Sequence, residues 1–340
     1  MTGIALAANN GEVGGGEVML LATARLLSEL GNEIEVVGPD APEGREGVLD
    51  LAEAEGYPVH RLSIDRRRYL HELRDWHGGR RDLLWCHGLV PAFATAGRPR
   101  RVVHLHKLPT RAQHAGYLTA RSRSWLTLVP SRWMATRVPS ARVLPNWTPD
   151  LGYAPRTAGE PRRLGYLGRH AVDKGLVVLA DALAALDDAT PVQLVLAGEP
   201  RFTDEAGARR VAEAMERLGG GAERVGWVDP VALLRDVDGL VVPSVVPESF
   251  GLAAAEAMAA GVPCIVSDAG ALPEVVGPDH PWVVPAGDAS ALGSAVAAWA
   301  AAPPDLLTAL GREQRDRWEV ELSPDVARER LLLILAGLPA

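Results

Sequence analysis

The 340-residue chain is short of cysteine, lysine and long apolar runs, and each shortage excludes something. Its two cysteines, Cys86 and Cys264, lie far apart inside apolar runs, so neither a disulfide framework nor a zinc knuckle is expected. Both read as core thiols. No stretch approaches the roughly 20 apolar residues that a membrane span requires. The opening MTGIALAANNGEVGGG lacks the charged region, apolar run and cleavage site of a secretion signal, which makes cytoplasm the expected location. Lysine occurs only as Lys107 and Lys174, so arginine carries almost all the positive charge. The net charge of -8 argues against nonspecific nucleic-acid binding. It is unevenly spread: residues 1–155 hold 19 basic against 16 acidic side chains, and a mildly basic first half suits an anionic partner.

What is present is alternation. The length suits two domains, which implies a cleft. A strand-like run from Ile4 to Ala8, a glycine-rich turn, a helical pattern from Glu17 to Leu30 and a second apolar run, IEVVG, form a βαβ unit that requires a parallel sheet. The pattern continues through 82–88, 101–107, 126–131 and 141–146. Periodicity then fails over PNWTPDLGYAPRTAGEP, residues 145–161, whose four prolines and two glycines read as an interdomain linker. Alternation resumes at RRLGYLG (162–168) and runs through a helix from Lys174 to about Leu186, VQLVLAG, a helix from about Asp204 to Leu218, ERVGWV, GLVVPS, a further helix and PCIVSD. Near-continuous apolar strands of this kind are covered by helices on both faces. Alanine-rich helices over about 289–301, 304–319 and 324–338 complete the chain. The expected fold is α/β, with two doubly wound Rossmann-like domains whose parallel sheets face a central cleft. The expected division is 1–150, a linker over 151–161, a second domain over 162–322, and 323–340 as a final helix.

Two segments carry the chemistry. In GRHAVDKG, Arg169 follows the end of a strand and Lys174 opens a helix, so two cations stand at the carboxyl edge of a sheet, where open α/β folds bind ligands. Cations at a helix N-terminus oppose its dipole, which favours an anion clamp over a solvated face. In PESFGLAAAEAMAAGVP, Glu248 precedes a helix and Glu256 lies about one turn inside it. Amides of Phe250, Gly251 and Leu252, with Ser249 beside them, can receive a phosphate while the two carboxylates accept sugar and ribose hydroxyls. This suits a nucleotide diphosphate sugar: sugar toward Glu248, ribose toward Glu256, diphosphate held by Arg169 and Lys174. The plainer alternative is a capping acid and a surface glutamate. Gly14, Gly15 and Gly16 form a tight turn or an anion site; the loop is neither a P-loop nor a dinucleotide fingerprint. His104 and His106 share one side of a strand, and with no acid beside them no metal is expected. The arginine-rich stretch 60–81 reads as a solvated face, with a peripheral anionic or membrane acceptor as the alternative.

Together GRHAVDKG and PESFGLAAAEAMAAGVP resemble the retaining GT-B glycosyltransferases of family 4, with their Glu-x7-Glu motif, and the similarity extends over nearly the whole chain. GGGEVMLLATARLLSELGNEIEVV is similar to the family's glycine loop, helix and second strand, with Asn32 where histidine is common. The resemblance implies that Glu248 meets the donor sugar and Glu256 the ribose. It also implies that His106 touches the sugar, that the first domain takes the acceptor and that the last helix returns to it. Closure is expected to bring Gly14–Gly16 onto the donor, and main-chain atoms of ERVGWV, Val228 among them, to meet the base, uracil before guanine. No cofactor or divalent metal is implied, the nucleotide sugar being a co-substrate, and no Asp-x-Asp triplet is present. The acceptor is expected to be a hydroxyl-bearing glycan or natural product, as in transferases of the avilamycin type that decorate sugar-based antibiotics. A sugar-nucleotide epimerase or hydrolase of the same fold, and a noncatalytic sugar-nucleotide-binding protein, are the alternatives.

Overall fold

The structure, a computed structural model, describes residues 3–153, 159, 161–187, 190–200, 204–218 and 221–339. The chain divides into two compact units, one of residues 1–146 with 327–340, the other of 147–326.

The first unit holds a seven-stranded sheet of β1 (Gly3–Ala7), β2 (Glu33–Pro39), β3 (Val59–Leu62), β4 (Leu83–His87), β5 (Arg101–His104), β6 (Leu126–Val129) and β7 (Arg142–Val143), in the order β3-β2-β1-β4-β5-β6-β7. All pairs are parallel. The central strands are covered on both faces, and every residue of β4 is buried. The expected strand over 101–107 ends at His104, although Leu105 N–H still donates to Leu128 O at 2.9 Å, so the extended course continues past it. β3 was not anticipated: it is a four-residue edge strand whose only apolar run is too short to carry a period. Arg101 is fully buried where β5 begins. Its guanidinium donates to the carbonyls of Arg98 (2.9 Å), Ala92 (3.0 Å), Ala120 (3.1 Å) and Ser122 (2.5 Å), which is how the core holds a charge without an acid partner.

The second unit repeats the plan with β8 (Arg162–Leu167), β9 (Val192–Ala197), β10 (Ala222–Gly226), β11 (Gly239–Val242), β12 (Cys264–Ser267) and β13 (Val283–Val284), ordered β10-β9-β8-β11-β12-β13 and again parallel. The helix Leu252–Ala260 is apolar all round apart from Glu256 and packs in the core, with Ala254, Ala255, Ala257, Met258 and Ala259 buried. Cys86 and Cys264 are buried free thiols. The unit begins inside the proline-rich stretch, ahead of the expected linker: Thr148 is buried, with Trp318 Nε1 donating to its Oγ1 at 2.8 Å, and Asp150 pairs with Arg315 at 2.7 Å. Of the expected linker 151–161, residues 154–158 and 160 lie outside the described residues. Helices Ala289–Ala301, Pro304–Glu321 and Pro324–Ala336 stand where alanine-rich periodicity placed them. Among the described residues, no helix is long and apolar enough to cross a membrane.

Candidate active site

Both sheets reverse their strand order once, between β1 and β4 and between β8 and β11, and at such points the loops leaving the carboxyl ends part to make a crevice. In the second unit those loops are 168–175 after β8 and 243–251 after β11. The first is fastened by Tyr166, whose buried hydroxyl donates to Arg169 O at 2.6 Å, and the second by Val245 N–H, which donates to Asp173 O at 3.0 Å. Lys174 ends a short 3-10 turn, Val172–Lys174, and does not open the helix; the helix proper is Leu176–Ala184. Gly175, at φ 79°, permits this break, since a Cβ there would lie 1.8 Å from Pro243 O. Neither cation is bare: Arg169 pairs with Asp173 at 2.9 Å, and Lys174 Nζ with Glu248 Oε1 at 2.5 Å. Glu248 also accepts from Ser244 Oγ at 2.6 Å, while Ser244 O accepts from Ser267 Oγ at 2.6 Å.

Sequence reasoning missed Asp173, Ser244 and Gly270. The signal for Gly270 was a glycine just past a strand; its φ is 71°, and a Cβ would meet Glu248 O at 2.3 Å. That closeness accompanies a parallel bridge between Glu248 and Gly270, which sets the height of the acid on the sheet edge. Ser249 and Phe250 follow, Phe250 anchoring the loop in the core, and Gly251 at φ 113° turns the chain into the helix. No side chain caps that helix, so Leu252 and its neighbours present first-turn amides without an internal side-chain acceptor. Glu256, the one charge on this helix, is partly exposed as a residue. Burial of its carboxyl, helped by the negative charge of Asp229, pushes its pKa up to about 7. Asp229 directly follows Val228, so the segment expected at the base adjoins the acid expected at the ribose.

In the first unit the glycine loop follows β1. Gly15 and Gly16 lie within the helix Gly15–Glu29, and Gly14 caps it. Glu17, which sequence reasoning passed over, turns back on the loop and accepts from the amides of Gly14 and Asn10, both at 3.2 Å. A carboxylate of the chain itself therefore takes one of the loop amides that a phosphate would need. Burial raises the Glu17 pKa to about 7. A Cβ on Gly16 would stand 3.5 Å from His106 Cβ, so that glycine keeps the loop against the histidine. His106 is half-buried, and its Nε2 lies 2.9 Å from Nδ1 of buried His87, the rings stacked at 5.1 Å and 11°. His104, fully buried as its core reading required, has its ring centroid 4.1 Å from that of His106. The pair at 104 and 106 is thus a trio: register pairs His87 with His104 across β4 and β5, and each of the three rings offers a nitrogen within 4.8 Å of the others. Burial holds all three pKa values below the usual imidazole range, that of His106 at about 4.

Residues 161–301 match the family described as Glycosyl transferases group 1. The chain is 36% identical over 180 residues to the phosphatidyl-myo-inositol mannosyltransferase of Mycobacterium leprae, which covers 49% of this chain and 46% of that protein. It is 36% identical over 124 residues to the D-inositol 3-phosphate glycosyltransferase of Corynebacterium glutamicum, covering 33% and 28%. The alignments thus span less than half the length of these curated relatives. Among solved structures, HepE of Anabaena in complex with UDP and glucose superposes with a TM-score of 0.81 at 18% identity, over 99% of this chain and 100% of that one. Sucrose-phosphate synthase of Thermosynechococcus elongatus gives 0.80 at 20% identity, over 99% and 98%. The chain therefore has the two-domain GT-B fold of these structures, and its residues 161–301 match the group 1 glycosyl transferases.

Proposed function

We propose that the protein is a retaining glycosyltransferase of family 4 that moves a sugar from a nucleoside diphosphate sugar, UDP-linked by preference, to a hydroxyl acceptor, with no divalent metal in the transfer step. The observation that carries this reading is the grouping at the β8/β11 crevice: two cations, Glu248 and an uncapped helix start, with Glu256 one turn inside the helix. The match of residues 161–301 to group 1 glycosyl transferases and the UDP and glucose named in the HepE complex support it.

Retaining transfer of this kind asks the protein for no nucleophile. Its task is to stabilise the charge that grows on the departing diphosphate, and Arg169, Lys174 and the amides at Gly251 and Leu252 are fixed donors for that charge. An incoming diphosphate exchanges places with Asp173 and Glu248 as partner of the two cations, which frees Glu248 to accept from the sugar hydroxyls. Glu256 takes the ribose, and Val228 and its neighbours the base. The first unit is assigned the acceptor, a glycan or natural product of the sugar-antibiotic kind. The relatives named for inositol phosphate and phosphatidylinositol substrates make an anionic acceptor the second candidate. It is favoured by the exposed Arg66, Arg67 and Arg68 at the head of the helix Arg66–Trp76.

The test is calorimetric titration of the protein with UDP, GDP and dTDP, with and without EDTA, repeated on Glu256→Ala and Arg169→Ala, followed by turnover assays on Glu248→Ala. A single nucleotide should bind, indifferent to chelator, about tenfold or more weaker in both variants, as loss of charge-assisted bonds demands. Glu248→Ala should lose turnover more than nucleotide affinity, and the product anomer should match the donor's by NMR. Binding untouched by either substitution overturns the site. Donor turnover without acceptor points to an epimerase or hydrolase, and binding without turnover on any acceptor to a sensor.

A further inference from the structure

The three histidines at the end of β4 and β5 form a cluster that the transfer chemistry does not use as a whole. Four ring nitrogens, His87 Nε2, His104 Nδ1 and Nε2 and His106 Nδ1, are buried with no hydrogen-bond partner, and the indole Nε1 of Trp85, whose ring lies 6.3 Å from that of His104, is also unpartnered. Buried polar groups are ordinarily satisfied, so so many orphans in one place call for an ion or a water that the chain alone does not supply. We infer that His87, His104 and His106 form a binding site for a divalent first-row transition metal of the zinc, cobalt and nickel kind.

Three features select that class. The donors are all imidazole nitrogens and no carboxylate belongs to the cluster, which suits borderline metals and disfavours magnesium, calcium and manganese. A neutral imidazole keeps one ring nitrogen unprotonated, so three such rings can offer three lone pairs to one ion. The strand pairing fixes two ligands on neighbouring strands, and the third follows two residues on, so the scaffold is rigid. Metal–nitrogen bonds of about 2.0–2.1 Å in tetrahedral array need nitrogens about 3.3 Å apart. Ligand atoms that lie within 4.8 Å of one another would have to draw together, and the hydrogen bond between His87 Nδ1 and His106 Nε2 would give way to the metal. The fourth position would face the partly exposed side of His106 and hold water.

Metal binding here stands apart from the transferase reading. Inhibition of transfer by zinc, through capture of the His106 ring, is the one consequence that rests on it. The experiment is titration of Co2+ into the untagged, EDTA-dialysed chain, without substrate, read by visible d–d absorption and followed by Zn2+ displacement. The same titration is run on His104→Gln and His106→Gln, with circular dichroism to verify their folding. A single equivalent of cobalt should bind saturably with the intense bands of four-coordinate Co2+ and be released by zinc. Each variant should weaken it at least tenfold, and His106→Gln, at the more exposed ring, keeps the test open should His104→Gln not fold. Absence of a saturable band in the parent protein, or a band unchanged in His106→Gln, overturns the site and leaves buried water as the partner of these rings.

Discussion

Glu256 shows what a single residue acquires from its surroundings. Its place one turn inside the helix was readable from a spacing of eight from Glu248, but its titration was not, because the desolvation comes from a helix whose other members are all alanine, leucine or methionine. At neutral pH this carboxyl is about half protonated. Ribose hydroxyls favour the carboxylate, so nucleotide binding should lower its pKa and release a proton. Calorimetry at pH 7 in buffers of differing ionisation enthalpy should show release of up to about half a proton on binding, lost in Glu256→Gln. Equal heats in all buffers for the parent protein would refute this. The same contrast holds for Lys174: sequence offered it as a bare cation, whereas its partner Glu248 lies 74 positions away and only the fold joins them.

The elements that were legible are those with long periods. The three C-terminal helices and the central strands were visible because burial on one helical stripe, or on both faces of a strand, imposes a pattern of several residues. The strands β3 and β13, of four and two residues, carry no such pattern. Loops were half legible. The glycines marked them, but which backbone each glycine admits depends on the neighbouring loop, as with Gly175 against Pro243 and Gly270 against Glu248. Gly270→Ala combines a positive φ with a backbone overlap, so it should cost roughly 1–3 kcal/mol and displace Glu248 with it. Thermal unfolding and nucleotide-sugar turnover measure the two effects, and a variant that keeps both would remove the bridge from the site's support.

For the molecule as a whole, the two units differ in how many neutral histidines they bury. The first holds His77, His87, His104 and His106, all with pKa values below the ordinary range and two of them at about 4. In the second only His170 and His280 are shifted, and downward. A histidine with a depressed folded-state pKa stabilises fully above its unfolded value near 6.5 and loses that contribution as pH falls toward 4. Each adds a slope of up to about 1.4 kcal/mol per pH unit. Glu17, raised to about 7, works the other way over the same range, as does Glu256 in the second unit, but each unit has one such acid. The first unit should therefore lose stability more steeply between pH 6.5 and 4, so its calorimetric transition should move down further than that of the second. His104→Gln should shrink the difference, and coincident shifts of both transitions would contradict it. The paired cations of the β8/β11 crevice have a kinetic counterpart. A diphosphate approaching Arg169 and Lys174 meets two positive charges already matched by Asp173 and Glu248, so these cations add little attraction at long range in a chain of net charge -8. Its association rate should therefore not fall as ionic strength rises in stopped-flow measurements, with discrimination falling to the residence time, since only an anion that reaches the crevice can trade places with the carboxylates paired there.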